Sequence, residues 1–310
     1  MTEFPVRVAA RRDEAEGVFS LELASVAGAA LPGWTPGAHI DVAVGASGVR
    51  QYSLCGDPAQ SSHWRIAVLH EPSGRGGSHY LHSTALPGTV LRVSMPRNNF
   101  ELVDCGRYVF VAGGIGITPI LPMVAAADAA GASWSLYYGG RTRAHMAFAD
   151  DLANRYPAAK LLPQNEHGLL PLAEILAGHR DAAVYCCGPE PLLAAVEAEG
   201  ARQGLAVHLE RFVPKPREFA PNEAFEVRLA SSGATFRVGV NQSIADVLER
   251  AGISIVTSCR EGTCGTCETA VRAGDIDHRD SLLTAEERAR GDTMMLCVSR
   301  ARSDVLVLDL

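Results

Sequence analysis

The sequence lacks the features of a membrane-spanning, secreted or nucleic-acid-binding protein. No apolar run reaches the roughly 20 residues that a membrane-spanning helix needs. The first residues, MTEFPVRVAARRDEAEG, contain no apolar segment typical of a secretory signal. The net charge of −7 at pH 7 argues against binding to nucleic acid or to an anionic membrane. We therefore expect a cytoplasmic protein, in which cysteines stay reduced.

Internal repeats are also missing, and the only low-complexity tract is a short alanine-rich run at 125–130. No Ser-His-Asp arrangement or pair of carboxylates stands out, and the ten histidines are scattered along the chain. The sequence therefore does not indicate hydrolysis by acid–base or nucleophilic catalysis. A length of 310 residues predicts two or three domains.

Short strand-like runs separated by turns dominate the first hundred residues. These runs lie at 18–23, 39–44, 64–69 and 89–93. Glycine, proline and serine mark the turns between them, as at 31–33 and 73–77. Evenly spaced short strands with such turns predict a β-barrel or β-sandwich.

From about residue 108 the pattern changes to apolar strands that alternate with helices. Strands are predicted at 108–112, 134–138 and 183–187, and helices at 120–130, 148–155, 171–177 and 191–203. This alternation is typical of a parallel α/β sheet.

Segment 213–223 contains three prolines and four charged residues and is predicted to be an exposed linker. The remainder has strand-like runs at 225–229, 235–238 and 305–308 and a helix at 243–251. It is predicted to be a small α+β domain.

A cluster of cysteines lies in this last part. The spacing is C-x4-C-x2-C with a further thiol thirty residues on: Cys259, Cys264, Cys267 and Cys297. This is the plant-type spacing for a 2Fe–2S cluster, in which each of two irons needs two thiolates. Gly262 and Gly265 would let the backbone wrap closely around the cluster and direct N–H groups at its sulfurs.

The alternative for these cysteines is a structural zinc site. Such sites usually pair two C-x2–4-C segments, and the second segment is missing here. The thiols of Cys55, Cys105 and Cys186 are better explained as small core residues.

A glycine turn, GGIGITP at 113–119, follows the apolar strand at 108–112 and opens a helix. Glycines let a pyrophosphate approach the backbone, and the helix N-terminus supplies N–H donors. Thr118 is suited to cap this helix and Pro119 to its first turn. The strand at 183–187 also ends in a turn, YCCGPE at 185–190. Two such turns at neighbouring strand ends predict a nucleotide crevice, and an ordinary tight turn is the alternative.

Two arginines follow the strand at 134–138. Arg141 and Arg143 could contact the ribose or phosphate of an adenosine. The alternative is that both are solvated surface residues.

Two further segments suit a flavin. In RQYSL at 50–54, an aromatic ring can stack on a flavin, a hydroxyl can bond its redox edge and an arginine can pair with phosphate. GRGGS at 74–78 has the composition of a phosphate cradle. An ordinary strand and a flexible hairpin are the respective alternatives.

Taken together, these motifs resemble the phthalate dioxygenase reductase family, which is related to the ferredoxin–NADP reductases. The resemblance covers essentially the whole chain and also runs through PRNNF (96–100), VHLERF (207–212), DHRD (277–280), LCVSRA (296–301) and the terminal LVLDL. It implies a multi-domain α/β plus β protein. The implied domains are an FMN-binding antiparallel β-barrel at 1–103, a ferredoxin-reductase-like NAD domain with a parallel sheet at 104–212, a linker at 213–224 and a β-grasp ferredoxin domain at 225–310.

The resemblance also implies roles for particular residues. FMN contacts are implied for Arg50, Tyr52, Ser53, Arg75, Gly76, Gly77 and Ser78. Pyridine nucleotide contacts are implied for Gly114, Thr118, Arg141, Cys187 and Gly188. Ser53 would lie near the flavin N5, with Cys187 and Phe212 where the nicotinamide enters; a core aromatic is the alternative for Phe212. One departure concerns Leu69-His70, where the family would have a basic pair before the phosphate loop.

The implied activity is that of an NAD(P)H-dependent oxygenase reductase. Hydride from NADH, or alternatively NADPH, would pass to FMN, and single electrons would then cross the 2Fe–2S cluster to a Rieske-type oxygenase. That oxygenase would hydroxylate or O-demethylate an aromatic acid and would dock transiently on a monomeric reductase, with Arg260 and Glu261 as candidate contacts. The alternatives are a reductase for a haem-thiolate monooxygenase and a zinc-stabilised, non-catalytic nucleotide-binding protein.

Overall fold

A computed structural model gives the fold of residues 3–310, which form two units. The first unit ends at Glu210 and the second begins at Arg211. Within residues 3–310, no helix is both long enough and apolar enough to cross a membrane.

An antiparallel sheet forms the first part of the first unit. Its elements are β1 (Glu3–Ala15), β2 (Val18–Ser25), β3 (His39–Ala43), β4 (Val49–Ser53), β5 (His63–Leu69), α1 (Gly77–Thr84) and β6 (Val90–Ser94). The strand order is β4-β3-β6-β1-β2-β5. Leu54, just beyond β4, forms a bridge with Ile66 of β5, and the Cys55 amide donates to the Arg65 carbonyl at 2.8 Å. The two edge strands therefore meet and close the predicted barrel.

The barrel interior follows from the alternation of apolar side chains along each strand. Leu21, Ile40 and Trp64 are fully buried in its core. Strand β1 was not singled out from the sequence. Register shifts between Val8 and Ala10, and between Asp13 and Ala15, interrupt the alternation that would have marked it.

The second part of the first unit is the predicted parallel sheet. Its elements are β7 (Arg107–Gly113), α2 (Ile117–Ala129), β8 (Ser133–Gly140), α3 (Ala149–Arg155), β9 (Lys160–Pro163), α4 (Gln164–His167), α5 (Leu172–Leu176), β10 (Ala183–Cys187), α6 (Glu190–Gln203) and β11 (Ala206–Glu210). The order β11-β10-β7-β8-β9 places β7 at the centre. The chain runs outward from β7 to β9 and then returns to the other side. The topological switch point, where nucleotides bind in such sheets, therefore lies between the ends of β7 and β10.

Side-chain contacts join the barrel to the parallel sheet within the first unit. The Tyr185 hydroxyl accepts from the Val103 amide at 2.8 Å and donates to the Glu101 carbonyl at 2.9 Å. The Arg65 guanidinium lies 5.0 Å from the ring centre of Phe148. These contacts hold the two sheets in a defined relation.

The second unit contains the cysteine cluster. Its elements are β12 (Phe225–Leu229), β13 (Thr235–Val238), α7 (Ile244–Arg250), β14 (Glu268–Ala273), β15 (Ile276–Asp277), α8 (Ala285–Arg290), β16 (Thr293–Met295), β17 (Arg300–Ala301) and β18 (Val305–Leu308). Five strands form one mixed sheet in the order β13-β12-β18-β14-β16, and helix α7 buries Ile244 and Leu248 in the core of the unit. This is the expected β-grasp ferredoxin domain.

The segment between β11 and β12 contains no helix or strand, but it is attached to the second unit. The Lys215 amide donates to Ser281 Oγ at 2.8 Å, and Asn222 Nδ2 donates to the Val240 carbonyl at 2.7 Å. Arg279 binds Asn222 Oδ1 and lies over the ring of Phe219. The domain boundaries given from the sequence stay predictions.

The turn after β7 gives a stability prediction. A Cβ at Gly116 would lie 2.3 Å from the Cys187 carbonyl oxygen, and this backbone atom cannot rotate away. We expect Gly116→Ala to lower the free energy of unfolding of the first unit by about 1–3 kcal/mol. Urea denaturation followed by circular dichroism measures it. Gly106→Ala is the control, since a Cβ there meets nothing within 4 Å. Equal midpoints for the two variants would contradict the expectation.

Candidate functional site

Glycines at the switch point allow the turns after β7 and β10 to touch. A Cβ at Gly113 would lie 2.7 Å from a Leu192 methyl group, and one at Gly188 would lie 3.1 Å from the Gly113 backbone. Gly114 differs, because it has φ +54° and a Cβ there would meet nothing within 4 Å. The packed glycines bring the two strand ends together, and Gly114 borders open space, as a nucleotide contact requires.

The helix after this turn begins earlier than expected. Helix α2 starts at Ile117 with Gly116 as its N-cap, so the assignment of Thr118 as the cap was wrong. A short 3₁₀ turn over Gly114–Gly116 continues directly into the helix. Thr118 is buried, and its hydroxyl donates to the Ile115 carbonyl at 3.0 Å. Its hydroxyl therefore closes the turn, and its nucleotide contact stays a prediction.

Ser53 and Cys187 come from different sheets but share a neighbour, Glu210. Cys187 pairs with Glu210 in the register of β10 and β11. Burial raises the pKa of Glu210 to about 8, and the Ser53 hydroxyl opposes only part of this rise. Ser53 Oγ and Glu210 Oε2 are buried and near enough to interact, but neither makes a hydrogen bond of normal length and angle. Such orphaned polar atoms fit a site that a cofactor completes.

The charge state of the Cys187 thiol follows from its burial. Burial and the Glu210 carboxylate both raise the pKa of the Cys187 thiol. Cys187 is therefore a neutral thiol and not a nucleophilic thiolate. Glu210 was not predicted from the sequence as a site residue. The feature that could have indicated it is a carboxyl group at the end of an apolar strand, in VHLERF.

The GRGGS loop, predicted to cradle a phosphate, lies where α1 begins. Gly76 has φ +84°, and a Cβ at Gly77 would lie 2.5 Å from Arg50 Cγ. Arg50 Nη2 donates to the Arg75 carbonyl at 3.0 Å. The structure therefore brings Arg50 across the GRGGS loop. Ser78 Oγ accepts from the Glu71 amide at 3.0 Å and thereby closes the loop.

Two of the residues predicted to contact a flavin lie on strand β4. Arg50 and Tyr52 are two residues apart and share one face of that strand. Burial raises the pKa of Tyr52 to about 12, so its hydroxyl is neutral, and its partly buried ring packs against the barrel core. His70 stands where a basic residue was expected. Its ring stacks instead on His82 of α1, with centroids 4.4 Å apart.

The two arginines after β8 differ in their contacts. Arg143 Nη2 pairs with Asp150 Oδ1 at 2.7 Å. Arg141 is exposed, and its carbonyl accepts from the Asn165 amide at 3.2 Å. The Arg141 guanidinium has no hydrogen-bond or ionic partner within residues 3–310.

Phe212 lies in the second unit, two residues after Glu210. It is 41% exposed, so the alternative of a core aromatic was wrong. Its place near the flavin stays a prediction.

The four cysteines of the second unit contact one another in series. Cys259 interacts with both Cys264 and Cys297, and Cys297 also interacts with Cys267. No three His, Cys, Asp or Glu side chains within residues 3–310 are grouped around a position for one metal ion. Four neighbouring thiols fit a two-iron cluster, in which each iron needs two thiolates.

Hydrogen bonds among the four thiols shift their pKa values in opposite directions. Bonds from Cys264 and Cys297 lower the pKa of Cys259, and a bond from Cys297 lowers the pKa of Cys267. The bonds with Cys259 and Cys267 raise the pKa of Cys297, and the bond with Cys259 raises the pKa of Cys264. The Glu261 amide also donates to Cys259 Sγ at 3.3 Å. Cys259 and Cys267 therefore lose their protons to a metal more readily than the other two thiols.

The cluster loop is fixed from behind by the DHRD segment. Gly262 has φ +72°, and a Cβ there would lie 2.9 Å from Asp280 Cα. The Ser281 amide donates to the Gly262 carbonyl at 2.8 Å. Asp280 is fully buried, and its Oδ2 accepts from the Leu283 amide at 2.8 Å and from Arg288 Nη2 at 3.2 Å. These contacts hold the loop that carries three of the thiols.

The buried Glu210 gives a pH prediction. The pKa of Glu210 is higher in the folded protein than in the unfolded chain. As pH rises above the pKa of the unfolded chain, the free energy of unfolding therefore falls, and the fall is complete above about pH 8. We therefore expect Glu210→Gln to gain thermal stability over the wild type at pH 9 but not at pH 5. Melting temperatures at both values measure it. Glu174→Gln, an exposed residue of α5, is the control, and an equal response of both variants would contradict the expectation.

Known proteins resemble both units. The family described as "2Fe-2S iron-sulfur cluster binding domain" matches residues 227–302. The chain is 40% identical over 316 residues to the phenoxybenzoate dioxygenase subunit beta of Ectopseudomonas oleovorans, which covers 100% of this chain and 98% of that protein.

Two solved structures resemble the chain over 99% of its length. One is an intact type IV self-sufficient cytochrome P450 monooxygenase, with 41% identity and a TM-score of 0.92, and the chain spans only 41% of it. The other is phthalate dioxygenase reductase, described as a modular structure for electron transfer from pyridine nucleotides to [2Fe–2S]. It has 36% identity and a TM-score of 0.72, and the chain spans 98% of it. The chain therefore belongs to the phthalate dioxygenase reductase family of FMN- and 2Fe–2S-containing oxygenase reductases.

Proposed function

We propose that this reductase takes hydride from NADH at the β7–β10 switch point and passes single electrons to a Rieske-type oxygenase that hydroxylates or O-demethylates an aromatic acid. The four neighbouring thiols carry this proposal, because they fit a one-electron cluster. Bound FMN accepts two electrons as hydride and releases them singly to such a cluster.

The proposed FMN site uses the two glycines and the arginine of the cradle. Gly76 and Gly77 place no side chain over the start of α1, and Arg50, which packs against Gly77, adds a positive charge beside it. Tyr52, on the same face of β4, would stack on the ring. Arg75 and Ser78 shape the loop.

The proposed nicotinamide site uses neutral polar groups. Near pH 7 both Cys187 and Glu210 hold their protons, since burial disfavours their charged forms. Together with Ser53 they offer hydrogen bonds without a fixed charge. Gly114, Thr118 and Gly188 would line the pyrophosphate path.

A haem-thiolate monooxygenase is a second candidate partner. It is supported by the TM-score of 0.92 to the P450 structure, which exceeds the 0.72 to phthalate dioxygenase reductase. The chain covers all but a few residues of phthalate dioxygenase reductase, whereas it spans less than half of the P450 chain. A separate partner protein is therefore favoured. Comparing electron transfer to a purified Rieske oxygenase and to a purified P450 would distinguish them.

We further propose that the reductase is a cytoplasmic monomer that docks transiently on its oxygenase. None of the eight cysteines within residues 3–310 forms a disulfide, which fits a reducing compartment. Sedimentation with and without the oxygenase tests the monomer and the complex.

The assignment of the four cysteines as cluster ligands can be tested by an anaerobic NADH titration followed by visible absorption. The holoenzyme is expected to take up about three reducing equivalents, two on the flavin and one on the cluster. Cys297→Ser should lose the iron–sulfur absorption and take up only about two. Cys105→Ser, outside the cluster, should behave as the wild type. A Cys297→Ser protein with unchanged iron–sulfur bands would refute the assignment.

The adenosine contact can be tested on the two arginines. Arg141 is exposed without a partner, so its guanidinium is available to a ribose or phosphate, whereas Arg143 is paired with Asp150. We expect Arg141→Ala to raise KM for NADH by about 3–10-fold, the loss of one solvent-exposed hydrogen bond, with kcat nearly unchanged. Arg143→Ala should change KM by less than about 2-fold, as expected for a surface ion pair. The reverse order of effects would contradict the assignment.

A further inference from the structure

One carboxylate of helix α7 holds the chain on both sides of Cys259. Thr257 Oγ1 donates to Glu249 Oε1 at 3.2 Å. Arg260 Nη2 donates to the other oxygen, Glu249 Oε2. Thr257 precedes Cys259 by two residues and Arg260 follows it directly. Glu249 therefore spans the segment that presents the first thiol.

A second carboxylate of helix α7, that of Asp246, also binds Arg260. Arg260 Nη1 donates to Asp246 Oδ1 at 2.7 Å. Asp246 is itself fixed at the helix start, because its amide donates to Ser243 Oγ at 3.0 Å and its Oδ2 accepts from the Ser243 amide at 3.4 Å. The arginine is thus held by two acids of one helix turn.

Helix α7 is a rigid support for these bonds. Ile244 and Leu248 are fully buried in the core of the second unit. The Ala245 amide donates at 3.2 Å to the carbonyl of Leu296, the residue before Cys297. One helix therefore contacts the segments of both the first and the fourth thiol.

The backbone at Arg260 needs such support. Arg260 has φ +55°, and within residues 3–310 only Phe148 shares a positive φ among residues other than glycine. A side chain other than glycine is disfavoured in this region. The ion pairs with α7 hold the residue in this conformation.

We propose that Glu249 is a positioning residue for the iron–sulfur cluster, and that it acts through Thr257 and Arg260 on the orientation of Cys259. The proposal rests on the ligand set proposed above. It also changes the role expected for Arg260, because two of its guanidinium nitrogens are bonded to α7 of its own chain. Arg260 is then part of the cluster support, whereas a docking contact would act only when the oxygenase is present.

The exposure of the Arg260 ion pairs predicts which property changes when they are removed. The side chains of Arg260, Glu249 and Asp246 are 48%, 31% and 42% exposed. Solvent screening makes such ion pairs weak contributors to stability. Their removal should therefore release the cluster more readily while the second unit stays folded.

The test uses the full-length holoenzyme without any oxygenase. The rate of cluster bleaching in excess chelator is measured for Glu249→Gln, which keeps the shape of the side chain. We expect bleaching about 10-fold faster than in the wild type, as for the loss of other partners of metal ligands. Arg260→Ala should match it, and Arg260→Lys should restore part of the retention. The EPR signal of the reduced cluster should broaden in the Glu249→Gln variant.

Matched control variants distinguish the positioning of Cys259 from a general change of charge in the second unit. Arg250→Ala removes a cation from the same helix, and Glu286→Gln neutralises an exposed acid of α8; both should retain the cluster as the wild type does. Arg260→Gly removes the ion pairs but also the backbone strain at φ +55°. It should still bleach faster, and it keeps the proposal testable if Glu249→Gln fails to fold.

Three results would overturn the proposal. One is wild-type bleaching and an unchanged EPR signal in Glu249→Gln, as a pure docking role for Arg260 predicts. Another is wild-type retention in Arg260→Gly, which would assign the effect to backbone strain. The third is a wild-type protein without iron–sulfur absorption but with normal flavin content, which would remove the ligand set itself.

Discussion

The close approach of the two backbone turns after β7 and β10 is the constraint on which the first unit depends. A Cβ at Gly116 would lie 2.3 Å from the Cys187 carbonyl oxygen, so the turns touch only because that side chain is missing. This contact sets the width of the crevice at the switch point. It also positions Cys187 and, through the register of β10 with β11, Glu210. The buried group of Ser53, Cys187 and Glu210 is a consequence of this packing.

A comparable constraint governs the second unit, where a loop must present three thiols in one place. Glycine again permits the geometry, since a Cβ at Gly262 would lie 2.9 Å from Asp280 Cα. The loop is then held from two directions, by the buried Asp280 and by helix α7. Both supports are parts of the ferredoxin fold rather than of the loop. The cluster site therefore depends on the whole unit being folded.

Local signals were sufficient where a role depends on a short stretch of chain. Spacing alone predicted a 2Fe–2S domain, because the geometry of such a cluster limits how its ligands are arranged along a loop, and the family match at residues 227–302 confirms the domain. Alternation of apolar strands and helices identified the parallel sheet. The same reasoning placed the helix cap at Thr118, and it was wrong because the glycines of the turn begin the helix at Ile117.

The sequence by itself determined the order of the modules, the presence of a 2Fe–2S domain and the glycine turns, because each follows from local spacing or from the steric limits of single residues. Only the tertiary structure decided which side chains share a site. Glu210, Glu249 and Asp280 act on residues far away in the chain or on another element, and their roles depend on burial and distance. Arg141 and Arg143 look alike in the sequence, and only the position of Asp150 separates them. Burial and partnership arise from packing between elements, so no local pattern encodes them.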